Sequence, residues 1–507
     1  MDGVAHGPAS IAALRDAVLK GREPPAADRV ERLPSYWLFV IGTVCIGAFM
    51  GQVDSSIAQL LLPKLELEFN SRLSTVSWVA VSYLLAMAAF LPIFGRLADM
   101  MGRKLLYTGG FLLFVLSSAL CGLAPSLPVL IAFRVLQGIG AALLSSNSVA
   151  IVVAAAGPAR RGRALGTLSA AQAVGLSTGP ALGGLVLDLL DWRWVFWINV
   201  PVGLAGTVLG WFLLPPTKDL PDEGRFDWKG ALLIAPALTA VVAMLNEGYA
   251  WGVTSPTLIG CAVLAFILLT LFVRCERRAE APLIDLALFR RSAFLTGNVA
   301  SLLSYAALFG LFFLMPFMFV RVYQDSIFSA GVRLSIVPVM LGLVAPVGGA
   351  LYDRLGARLL TASGMLSCVL GLALLFAFMD GTQTSLAPVM LALAIFGVGQ
   401  GLFISPNNSA IMAAAPASLT GEAGGLLNVM RSLGISVGVA AASSLLAWRL
   451  AVLTGSGHNT LAAEGRHLLA AGHDVIILLG SFVAVAAALS LTRIVPRSSR
   501  GAVMQLE

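Results

Sequence analysis

Apolar residues run along this chain in stretches of about twenty, parted by short segments that hold most of the charges. A helix needs about 20 apolar residues to cross a bilayer, and the stretches recur from residue 36 almost to the C-terminus. The pattern therefore predicts an all-α integral membrane protein. Its spans are expected at 36–62, 75–97, 104–123, 128–153, 164–187, 193–214 and 229–247, then at 256–275, 293–320, 331–351, 358–379, 386–412, 423–448 and 474–494, fourteen in all.

Composition agrees with the pattern. Hydrophobic residues make up 58% and charged residues 12%, where a soluble domain carries about a quarter charged residues. The five cysteines, Cys45, Cys121, Cys261, Cys275 and Cys368, fall in or at the ends of apolar runs without paired spacing. They read as small apolar fillers and not as a disulfide framework.

Charge sets the expected orientation. Residues 1–35 are polar, with REPPAADRVERLP just before the first span, and that span is too long for a signal-peptide core. Residues 1–35 and 496–507 are expected to be cytoplasmic tails. With both inside, 24 of the 33 Lys and Arg residues fall on the cytoplasmic side, seven fall outside, and Arg134 and Arg431 lie within spans. Positive charge in short loops is retained inside, so the bias supports this topology. It also accounts for the net charge of +7 by scattered loops, and no nucleic-acid partner is implied.

The chain repeats itself. GRLADMMGRK from Gly95 and GALYDRLGAR from Gly349 align Asp99 on Asp353, Gly102 on Gly356 and Lys104 on Arg358. GIGAALLSSNS from Gly138 aligns on GQGLFISPNNS from Gly399, and the stretch from Gly162 aligns on that from Gly421. Three matches in one order predict a duplicated six-span unit: bundles at 36–214 and 292–495, joined by residues 215–291 with two linker spans. Two like-oriented halves meeting at a midplane site are a transporter's architecture, which works by rocking one half on the other.

Four motifs carry a family resemblance over residues 36 to 495: GRLADMMGRK, RVLQGIGAA from Arg134, GLSTGPALGG from Gly175, and VDSSIAQLLLP from Val53, with Gln59 where Asn is usual. The chain resembles the major facilitator superfamily in its fourteen-span drug:proton antiporter branch, the EmrB/QacA type. The resemblance implies the major facilitator fold, two six-helix bundles plus two extra transmembrane helices. It also implies proton-coupled efflux of lipophilic small molecules across the cytoplasmic membrane, with the proton as coupling ion and no cofactor or metal. A periplasmic adaptor and outer-membrane channel would join it in a Gram-negative source. The alternatives are a dedicated metabolite exporter or a proton-coupled uptake symporter.

Each motif also has a reading from chemistry. In the first decapeptide, Gly95 and Gly102 allow a tight turn and close helix approach, and Asp99 can bind helix-start amides or pair with Arg103 beside Lys104. The family implies a conformational latch here, shared with Asp353 and Arg358 in the second half. An ordinary topogenic loop would need only the basic residues. In span five, Gly175, Gly179 and Gly183 share a face, Gly184 follows, and Pro180 bends the helix. The resemblance makes this the antiporter motif, a tight contact at the interface of the halves.

Charges inside spans are costly and usually line a cavity. Asp54 lies roughly 12 Å from the outer end of span one at the helical rise, and it is the only carboxylate expected well inside a span. Arg134 shares a face of span four with Gln137 and Ser145. The two are expected to couple protons, with a static buried ion pair as the other reading. Gln52, Ser56 and Gln59 on span one, Gln137 and Ser145 on span four, and Gln172 on span five are expected to line the cavity. Asn428 and Arg431 join them from span thirteen, Arg431 either as lining or as structure. One acidic group cannot both carry protons and neutralise two substrate charges, so neutral, anionic or monocationic compounds are expected and dications are not. Glu247, at the end of span seven, and His458, His467 and His473, in the last outer loop, read as solvated. A membrane enzyme would need clustered His, Asp or Cys at one face, and His6 and those three make no such cluster.

Asp99→Asn is expected to cripple transport at near-normal abundance and insertion, because a loop carboxylate contributes little to topology. Full transport at equal expression would remove the latch.

Overall fold

The computed structural model describes residues 23, 26, 33, 35–157, 160–217, 227–252, 255–279, 282–416, 419–455 and 464–492. Asp99 and Asp353 lie in described helices, but their side chains are outside the described residues, as are His6, His458 and most of both tails. Among the described residues the fold is helical, and fourteen helices are long and apolar enough to cross a membrane. They are α1 Tyr36–Glu68, α2 Leu73–Met101, α3 Arg103–Gly122, α4 Leu127–Ala156, α5 Arg161–Leu189, α6 Trp194–Leu213 and α7 Trp228–Trp251. The second half follows with α8 Pro256–Glu276, α9 Ser292–Val322, α10 in two pieces, Ile327–Leu334 and Ile336–Leu355, α11 Ala357–Phe378, α12 Leu386–Ala414, α13 Thr420–Thr454 and α14 Gly465–Thr492.

The duplicated decapeptides become duplicated joints. A single residue separates α2 from α3 and α10 from α11: Gly102 at φ 108° and Gly356 at φ 77°. A side chain is strained in that region of φ, so glycine is what lets two long helices meet with no loop between them. Both joints lie at one end of the bundle, here the turn end.

Three helices run further than their apolar cores. α1 continues through Pro63 to Glu68 and takes Lys64 and Glu66 into the helix. Proline is tolerated in a membrane helix when neighbours satisfy the freed backbone. α9 ends in a π-helical turn, Met318–Val322. α14 begins at Gly465, so His467 and His473 lie on a helix and not in a loop; His473 packs its ring 4.8 Å from that of Phe376.

Within each half the packing follows the repeat. α2 and α3 pack on α4, α1 on α5, and correspondingly α10 and α11 on α12, α9 on α13. The halves meet along α2 against α13 and α5 against α10. Of the linker helices, α8 packs on α7, while α7 packs on both α2 and α13.

That seam holds a polar junction. The Asn246 side-chain oxygen on α7 accepts from Ser77 Oγ of α2 at 2.8 Å and from Ser443 Oγ of α13 at 2.9 Å. Its amide donates to the Ser74 carbonyl at 2.8 Å. Glu247, expected to be solvated, instead accepts from Trp78 Nε1 at 2.8 Å and Ser74 Oγ at 3.2 Å, because α7 lies against α2.

Asn246→Ala leaves two buried serines without their shared acceptor, a loss of about 1 kcal/mol by the usual worth of such bonds in membranes. It is expected to lower the melting temperature of the detergent-purified protein, and Ser443→Ala to lower it less. An unchanged melting temperature for Asn246→Ala would show that the junction adds no stability.

Candidate functional site

Asp54 and Arg134 meet. Arg134 Nη1 donates to Asp54 Oδ2 at 2.7 Å, with the two side chains 0% and 1% exposed. The other carboxylate oxygen accepts from Gln137 Nε2 at 3.0 Å and from Asn199 Nδ2 of α6 at 3.1 Å. Both amides also reach Ser118 Oγ of α3, at 3.2 Å each. Arg134 Nε donates to the Val79 carbonyl of α2 at 2.9 Å, and its guanidinium carbon stands 4.2 Å from the Tyr83 ring centre. A charge pair in a low-dielectric interior survives only when most of its remaining donors and acceptors are matched, and five helices supply the matches, with Arg134 Nη2 left over. Asn199 and Ser118 escaped sequence reasoning. The one available signal was an amide in the otherwise apolar sixth span.

A cleft lies beside this network, between the two halves. Gln52, Ser145, Gln172, Asn428 and Arg431 line it, as expected residues, and Tyr83, Tyr305, Asn408 and Ser432 line it unforeseen. The Tyr83 ring both faces the cleft and covers Arg134, so it is the partition between cavity and ion pair. The cleft occupies the half of the bundle nearer the turn end, reaching Leu165 one turn into α5 and Leu427 two turns into α13.

Three expected lining residues stand elsewhere. Gln137 is wholly buried in the ion-pair network. Ser56 is buried against α5, where it faces Gly179. Gln59 is buried too, with neither amide atom hydrogen-bonded. A membrane helix is apolar on every side, so its sequence does not mark which polar residue faces the cavity.

The opposite end is shut by contacts between the halves. The Pro180 carbonyl abuts Gly331 of α10, and a Cβ on Gly184 would lie 2.8 Å from the Ile327 carbonyl. Glu66, buried on α1, pairs with Arg321 of α9 at 3.4 Å. Glu66 is thus a second carboxylate inside a membrane helix, hidden from the sequence by the proline that α1 runs through.

The glycine motif does two jobs. Gly175, Gly179 and Gly183 pack on α1 of their own bundle, against Phe49, Ser56 and Ile57. Only Pro180 and Gly184 reach the other half, so the expected interface role falls to these two.

The latch residues are divided. Lys104 is buried, and the Arg103 amide donates to Thr217 Oγ1 at 2.9 Å. Glu23 of the N-terminal tail accepts from the Leu105 amide at 3.0 Å and from that of Thr217. Arg358 is exposed. At Gly95, where close helix approach was expected, nothing stands within 4 Å of a Cβ, whereas its counterpart Gly349 has Ser405 Oγ at 3.0 Å.

Fourteen membrane-crossing helices in two halves of one design, with a cleft between the halves and contacts closing the far end, are the architecture of a membrane transporter. The model for the Major Facilitator Superfamily matches residues 44–439. The chain belongs to that superfamily. It is 34% identical over 419 residues to the riboflavin transporter RibZ of Clostridioides difficile, covering 82% of this chain and 89% of RibZ. It is 35% identical over 413 residues to the multidrug resistance protein Stp of Mycobacterium tuberculosis, covering 80% and 76%. The multidrug resistance protein B homolog of that species is 32% identical over 429 residues, covering 83% and 78%. Among solved structures, a bacterial homolog of the human lysosomal transporter Spinster superposes with a TM-score of 0.64 at 15% identity, covering 90% of this chain and 97% of that one.

Gly179→Leu is expected to abolish transport, since a side chain there collides with Ser56 and overpacking costs about 1–3 kcal/mol or more. Gly166→Leu, with nothing within 4 Å of its Cβ, is the matched control. Equal activity and abundance of the two variants would count against the packing role.

Proposed function

We propose that the protein exports small lipophilic molecules across the cytoplasmic membrane in exchange for protons, with both termini in the cytoplasm. In that orientation the turn end is cytoplasmic and the cleft is the inward-facing site. The open space at Gly95 suits a latch released in this state.

The observation that carries the reading is Asp54, a buried carboxylate one aromatic ring away from the cleft. A proton arriving at Asp54 competes with donors already on both of its oxygens. Arg134 is the donor that loses most, because its charge loses its counter-ion. Its Nη2 has no hydrogen-bond partner here and is free to take another. Proton binding thereby changes the pairing of α1 with α4 and α6 beside the cleft. The multidrug resistance relatives support efflux, and the likeness to a riboflavin transporter supports, as the second reading, a transporter dedicated to one metabolite, by export or by uptake.

In proteoliposomes, Asp54→Asn is expected to lose flux driven by a pH gradient and to keep exchange of labelled for unlabelled substrate, while Asp54→Glu keeps part of both. A pair that is only structural predicts loss of both in proportion to unfolded protein. Undiminished gradient-driven flux in Asp54→Asn would remove it as the coupling site.

A further inference from the structure

The walls of the cleft carry one charge. None of the described residues that line it is Asp, Glu or Lys, and Arg431 is the sole ionised side chain among them. Asp54 is sealed behind Tyr83 and already engaged with Arg134. Arg431 makes no ion pair among the described residues; its guanidinium carbon stands 5.2 Å from the ring centre of Tyr305, which also lines the cleft. A cation held against an aromatic face and left without a counter-ion gives the cavity a positive potential, which low-dielectric walls strengthen.

The same wall offers unmet hydrogen bonds. Asn408 Oδ1 and Ser432 Oγ are buried, line the cleft and have no partner. Buried polar atoms are nearly always paired, and exceptions call for a partner the empty site lacks. All three groups, with Tyr305, come from the C-terminal bundle. Across from them the N-terminal bundle presents two amides, Gln52 and Gln172, and the Tyr83 ring.

We propose that the cleft selects planar aromatic molecules of net charge zero or minus one that bear an anionic or strongly accepting edge, and that it rejects aromatic cations. The accepting edge meets Arg431 and the Ser432 hydroxyl, which can donate to it, and the ring system lies between Tyr305 and Tyr83. This rests on the cleft being the substrate site of the proposed exporter. It narrows that reading, because a monocation finds no acidic group on the walls and meets Arg431 instead.

The test measures binding before transport. Fluorescence anisotropy of resorufin, a planar aromatic monoanion, and of ethidium, a planar aromatic monocation, is followed with purified wild type, Arg431→Gln and Arg431→Lys. Wild type is expected to bind resorufin at least about tenfold more tightly than ethidium, the scale of one charge-assisted hydrogen bond. Arg431→Gln should lose about tenfold for resorufin and lose nothing, or gain, for ethidium; Arg431→Lys should keep part of the preference. Ser432→Ala should weaken resorufin alone and serves if Arg431→Gln does not fold. Ethidium bound as tightly as resorufin, equal loss of both in Arg431→Gln, or binding of neither overturns the proposal. Resorufin bound in this way without gradient-driven flux leaves the ligand class standing and overturns proton-coupled export.

Discussion

The ion pair between Asp54 and Arg134 is what the N-terminal bundle is built around. Two full charges removed from water are tolerable only if every neighbouring group is aligned, and breaking such a pair from one side costs about 3–5 kcal/mol. Here the alignment draws on α1, α2, α3, α4 and α6. The bundle is therefore stiff where the chemistry sits. Glycines complete that stiffness: a Cβ on Gly140 would lie 2.7 Å from the Phe114 amide nitrogen, so α3 and α4 meet backbone to backbone.

The second bundle repeats the architecture without the charge. Its counterpart of the buried network is neutral: Ser304 Oγ of α9 donates to Gln400 Oε1 of α12 at 2.7 Å. Where Gln172 stands in the first half, Arg431 stands in the second, and it faces the cavity. Duplication thus supplied two frames, and substitution put the buried carboxylate in one and the cleft-lining cation in the other. The separation matters electrically. Arg134 already balances Asp54, so the positive field of Arg431 on the cavity is left uncancelled.

Much of this could be read in the sequence, for identifiable reasons. Bilayer thickness imposes the span count, and a one-residue joint between helices demands the positive φ of Gly102 and Gly356, so the repeated decapeptide pointed to a repeated turn. Pairing of the lone intramembrane acid with the lone base of its half followed from the cost of leaving either alone. What escaped was directional. Ser56, Gln59 and Gln137 could not be assigned a face, because helices in lipid lack the polar side that marks orientation in a soluble protein. Glu66 was hidden because Pro63 looked like an end. Asn246 became important only when α7 lodged in the seam between α2 and α13, a fact of assembly that no local pattern in α7 encodes.

Rocking the halves means opening the contacts at the far end while those inside each bundle hold. The closed end is made of backbone-to-glycine packing and of the pair Glu66–Arg321, whose arginine side chain is 18% exposed at 3.4 Å. Opening that end lets water reach both partners as they separate, whereas breaking the Asp54 network strands a charge that stays buried. The linker helix α7 is placed unequally across the opening seam. Asn246 and Glu247 hold α2 by hydrogen bonds to Ser74, Ser77 and Trp78, and hold α13 by the single bond from Ser443. The polar bonds thus tie α7 more firmly to α2, whereas its packing against α13 is at least as extensive as that against α2.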